Sequence, residues 1–276
     1  MSHESSTDGD IKLAGVHDAN LQRINTTSSV MMTSELFEKL YLQPLGKVKG
    51  DLRSTFGNPT PLGLVGFVIG LTPLACCLAG WRGAGGTGAA DIGVYFFIGG
   101  PCLIVSGLLE FFLGNTFPFV VFFTYGCVFL TLGATLQPVF NAAGAYAMGD
   151  TVAGLATPAF NASLAYWPLS VSCLNLFWFI CAFKVNVVFV LVFVGAGSGF
   201  ACFAGALFAA AEGSLATSAS LVQATGGLWF FTSLLGWYLL LIQLLGTVGF
   251  NIQLPVGDLS GLGKKKVANA EGDNKV

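Results

Sequence analysis

Six charged side chains lie between residues 54 and 257 of the sequence: Arg82, Asp91, Glu110, Asp150, Lys184 and Glu212. Five of them fall in polar breaks or at the ends of apolar runs. Glu110, in "SGLLEFFLGNTF", falls inside one. Two readings fit a carboxylate there. It lies about a turn from the end of the run, so it could reach headgroups or water; or it faces an aqueous pathway or a neighbouring helix, where it could take a proton or gate an ion. The second stretch with chemical potential is "FGNPTPLGLVGF" (56–67), where Asn58, Pro59 and Pro61 stand at the threshold of a long apolar run. Prolines cost nothing in a helix's first turn, whose N–H groups lack intrahelical acceptors, and Asn58 can cap that turn or offer its amide to a ligand. A capped start with no ligand and an anion station at the helix N-terminus both account for the pattern.

Other reactive residue types point away from catalysis. The seven cysteines (Cys76, Cys77, Cys102, Cys127, Cys173, Cys181, Cys202) all sit in apolar runs, with no zinc or disulfide spacing, and read as small hydrophobes. His3 and His17 lie in the polar N-terminal segment. No nucleophile elbow, phosphate loop, dinucleotide fingerprint or zinc helix is present, so neither an enzyme nor a cofactor is expected. "GAGSGF" (195–200) sets Gly195 and Gly199 four apart, as Gly66 and Gly70 are, the spacing of close helix packing in lipid.

The elements that must hold these residues follow from composition. Hydrophobic residues make up 54% of the 276 and charged residues 9%, against about 25% charge in a soluble domain, and the mean hydropathy is +0.75. The expected fold is an all-α membrane protein. Cut at its breakers, the apolar region yields six spans at 62–81, 92–113, 117–136, 164–183, 187–211 and 226–245, each near the roughly 20 residues a bilayer requires. Residues 1–55 read as a mostly disordered polar tail with an amphipathic stretch at 34–45, and without an early apolar run to be cleaved as a signal peptide. Residues 56–250 read as the six-helix transmembrane domain and 251–276 as a second tail. The net charge of −2 suggests no nucleic-acid partner. Lys47, Lys49, Arg53, Lys184 and Lys264 to Lys266 cluster on one side of the six-span scheme and Arg82 stands alone on the other, so both tails are expected in the cytoplasm. The loop between spans three and four is then outside and carries a glycosylation sequon at Asn161.

"NPTPLGLVGF" (58–67) closely resembles the signature that opens the first helix of the acetate uptake transporter family. "SGLLEFFLGNTF" (106–117) and "LPVGDLS" (254–260) resemble two further blocks of that family, in matching order, and the loop "NAAGAYAMGDTVAGLATPAFNAS" with "KVNVVF" looks like its filamentous-fungal members. The resemblance implies a plasma-membrane protein of six helices that assembles as a homohexamer in lipid, each protomer passing acetate, succinate or other short carboxylates, often with protons. Carried over by position, the family's asparagine and prolines fall on Asn58, Pro59 and Pro61, and its glutamate on Glu110 with Asn115 and Thr116 beside it. Its hydrophobic constriction falls on Phe67, Tyr125 and Leu191. Pro101 and Cys102 in "GGPCLIVSG" interrupt a helix that is smoother in the family pattern, which bears on substrate size. The function so implied is acetate and monocarboxylate transport; the alternatives are an acetate sensor that does not transport and an ammonium exporter.

Overall fold

The computed structural model describes residues 56–250 and 254–259. The amphipathic stretch at 34–45, His3, His17 and the cations Lys47, Lys49, Arg53 and Lys264 to Lys266 lie outside them. Among the described residues, six helical segments are long and apolar enough to cross a membrane: α1 (Thr60–Leu78), α2 (Gly86–Phe112), α3 (Thr116–Leu136), α4 (Pro158–Ala182), α5 (Val187–Ala211) and α6 (Leu215–Thr247). Strands are absent from the described residues apart from one isolated bridge, Asn186 to Asp258.

α1, α3 and α5 agree closely with the spans expected from hydropathy, α5 residue for residue, while α2 and α4 begin earlier than the expected 92 and 164. The sixth is longer than expected, starting at Leu215 rather than 226. Its first turns, "LATSASLVQAT", are polar but remain helical, with the hydroxyls of Ser220 and Thr225 satisfied on the carbonyls of Ala216 and Leu221. The fourth begins at Pro158, with Thr157 accepting at its start from the Phe160 N–H. Asn161 therefore lies in the first turns of α4 rather than in the loop, and its amide donates to the carbonyls of Leu155 and Thr157.

α2 is a composite. A 3₁₀ stretch (Gly86–Asp91) leads through one short α turn into a π turn at Tyr95–Gly99, and a regular α-helix follows from Gly100. Pro101 explains the break. Proline lacks a donor and its ring collides with the preceding turn, and the wider π turn relieves both, the Gly100 N–H reaching back to the Tyr95 carbonyl.

The helices pack around a ring. α1 packs on α2 and on α6, α2 on α3, α6 on α5, and α5 on α4; Tyr125 of α3 closes the circle against Trp178 of α4, with ring centroids 5.2 Å apart. Small residues permit the closest approaches. A side chain at Gly66 would strike Cys102 on α2, one at Gly70 the Phe129 ring on α3, and ones at Gly195 and Gly199 would strike Thr232 and Trp229 on α6. The paired glycines therefore serve packing within one chain.

Candidate functional site: a buried carboxylate and an aromatic closure

The first group of residues meets where α1 begins and α2 turns into α3. Asn58 closes the turn that leads into α1, its side-chain oxygen accepting the Thr60 N–H at 3.0 Å. Pro59 is the N-cap, and with Pro59 and Pro61 lacking donors and the Leu62 N–H bonded to the Pro59 carbonyl at 3.0 Å, the first turn of α1 is satisfied locally. The backbone N–H groups that an anion station would use are engaged here.

Thr60, between the two prolines, is fully buried and donates its hydroxyl to Oε1 of Glu110. Asn115 donates its side-chain N–H to Oε2 of the same carboxylate. The position of Asn115 depends on Gly114, whose φ of 77° lets the chain end α2 in a left-handed turn: the Gly114 N–H bonds the Phe111 carbonyl at 2.9 Å and the Asn115 N–H the Glu110 carbonyl at 2.8 Å. Ser106, one turn before Glu110, donates to the Pro59 carbonyl at 2.9 Å. Glu110 has no solvent exposure, which of the two readings disfavours a carboxylate reaching headgroups or water. It faces neighbouring elements, where donors offset the cost of burying its oxygens. Thr116 departs from the group: it is exposed at the first position of α3.

Phe67, two turns along α1, lies against Tyr125 of α3 with ring centroids 6.1 Å apart, and both are buried. The Phe67 ring lies over Gly236 of α6, where any side chain would collide with it. Tyr125 donates its hydroxyl to Oδ1 of Asn175 at 2.6 Å, and Asn175 donates its own amide to the Val171 carbonyl at 2.9 Å. That chain fixes the tilt of the Tyr125 ring. Phe67 and Tyr125 form a shared wall between two apolar cavities. One, of about 30 Å³, extends past Leu71 and Phe129 towards Leu78 and Trp229. The other, of about 20 Å³, is bounded by Leu64, Leu103, Phe193 and Leu239. Each has room for about one or two waters, so the bundle is closed at this pair.

Leu191 does not join them. It is 38% exposed on the outer face of α5, while its neighbours Phe189, Val192 and Phe193 border the smaller cavity. The constriction expected at Phe67, Tyr125 and Leu191 is thus corrected in its third member. α5 is apolar on every side, so its sequence gives no sign of which face turns inward. Thr60, Asn175 and Trp178 were not singled out from sequence. Asn175 had a usable signal, as a lone amide in the apolar run "SCLNLFW".

Comparison with known proteins places this geometry in context. The chain is 45% identical over 248 residues to protein alcS of Aspergillus fumigatus, covering 88% of this chain and 91% of that protein. It is 32% identical over 206 residues to the acetate transporter protein patA of Aspergillus clavatus, covering 75% and 80%. Its fold matches the solved structure of the bacterial acetate channel SatP with a TM-score of 0.57 at 27% identity, over 73% of this chain and 99% of that one. The family model described as GPR1/FUN34/yaaH matches residues 42–261, and the chain, a multi-pass membrane protein, belongs to that family.

Proposed function

We propose that this protein is a plasma-membrane transporter or channel for acetate and related short carboxylates, succinate among them, with protons moving alongside. The observation that carries the reading is the Phe67–Tyr125 wall, which divides two small apolar cavities inside a ring of six helices. Apolar walls of this kind resist hydrated ions and suit a small acid with a methyl group. The relatives and the solved structure named for acetate support the cargo. In this reading the chain assembles as a homohexamer with a pathway in each protomer, and both tails face the cytoplasm. Glu110, held by Thr60 and Asn115, orders the mouth of the pathway beside Asn58 and contributes to proton linkage.

Uptake of labelled acetate into vesicles containing only the purified protein tests the proposal. Saturable, protein-dependent flux is expected. Binding without flux would favour an acetate sensor, and uptake of methylammonium in place of acetate would favour ammonium transport.

A further inference from the structure

Gln243 of α6 is 3% exposed, and its side-chain oxygen has no hydrogen-bond partner among the described residues. A buried amide oxygen without a donor is costly to keep, and a side chain of leucine or methionine would avoid the cost in the same space. Its place in the fold gives it a use. Gly236 lies against Phe67 and Val68, and α6 runs antiparallel to α1, with Gly226 further up meeting Ala75 and Ala79. Seven residues beyond Gly236 on α6 is Gln243; seven residues before Phe67 on α1 is Thr60. Seven residues make about two helical turns, or roughly 10 Å, on either helix. Gln243 therefore shares a depth with Thr60, below the aromatic wall. It also follows Leu239 by one turn on the same face, and Leu239 borders the smaller cavity.

We infer that Gln243 is a hydrogen-bonding station for the undissociated carboxylic acid at the end of the pathway where α1 begins and α6 ends. The inference rests on the transport reading above. An amide oxygen accepts but cannot donate, so it repels a carboxylate oxygen and takes the O–H of an acid. The amide N–H₂ of the same side chain can donate to the acid's carbonyl, giving a two-point match that selects the neutral acid just below an apolar constriction. The aromatic wall would then receive a cargo already stripped of charge.

Acetamide, neutral and nearly isosteric with acetic acid, is the probe. In vesicles containing the wild-type protein, acetamide should inhibit labelled-acetate uptake competitively. In Gln243→Met the KM for acetate should rise on the order of tenfold, as expected for losing two neutral hydrogen bonds, with maximal rate retained and acetamide inhibition lost. The melting temperature of the purified Gln243→Met protein should equal or exceed that of wild type, because the change removes an unpartnered buried acceptor. A merely structural glutamine would instead lower it. Wild-type flux that a hundredfold excess of acetamide leaves untouched overturns the inference, as does an unchanged KM in Gln243→Met or a variant that fails to assemble. Absence of acetate uptake in wild type would instead overturn the transport reading itself.

Discussion

The Tyr125–Asn175 hydrogen bond gives one ring of the closure a fixed tilt, and that bond is open to a direct test. Replacing Asn175 with leucine leaves the Tyr125 hydroxyl buried without its acceptor, at a cost of about 1–3 kcal/mol. Asn175→Leu should therefore melt at lower temperature in detergent, and Tyr125→Phe combined with it should recover part of the loss. Phe67→Ala removes one side of the wall. Flux of lactate or succinate relative to acetate should rise in vesicles bearing it, and a ratio equal to wild type in a normally inserted protein would show that Phe67 does not line the narrow point. For Glu110→Gln the logic differs. Both carboxylate oxygens accept, from Thr60 and Asn115; the introduced amide can keep its oxygen on Asn115 and donate to the Thr60 oxygen, so the change removes the charge while both partners remain in reach. Acetate flux and its pH dependence should both fall, measured in vesicles over a pH series.

Among the elements, the segment after α6 is held by more than sequence suggested. Gly257 accepts from the Val187 N–H at 2.9 Å, the Leu259 N–H reaches the Val185 carbonyl at 3.2 Å, and the Tyr238 hydroxyl bonds the Pro255 carbonyl at 2.8 Å. The strip thereby ties the start of α5 to α6. Gly257 has a φ of 67°, and a side chain there would meet Val187. Gly257→Val should release the strip, seen as faster hydrogen exchange at the Val187 amide with the exchange of α2 unchanged. Gly199→Leu acts on a helix pair instead. Leucine cannot share space with the Trp229 indole, whose N–H donates to the Ala196 carbonyl at 3.3 Å, so α5 and α6 must separate and the melting temperature should fall.

For the molecule as a whole, the proposed topology and assembly have their own readouts. In the proposed topology both tails, with the cations near them, lie in the cytoplasm. Protease added to intact cells should spare tags at both ends, and cleavage of either overturns the arrangement. The particle mass in mild detergent should correspond to six chains of 28.8 kDa, and a mass of one chain would contradict the assembly.

Six apolar runs were legible in the sequence because hydrocarbon demands about 20 apolar residues per helix, and each break between them has a helix-ending residue or a charge. The proline-framed start of α1 was legible too, since Asn58 bonds within two residues, to the Thr60 N–H, in the turn that precedes the helix. The polar first turns of α6 misled the boundary, because polarity alone does not end a helix whose hydroxyls bond back to its carbonyls. What the sequence could not supply was the set of partners across the bundle. Thr60 and Glu110 stand fifty residues apart, as do Tyr125 and Asn175, and nothing in their spacing pairs them. Helices that are apolar on every side carry no stripe to mark an inner face, so the inward turn of Phe193 and the outward turn of Leu191 were decided only when the six helices packed.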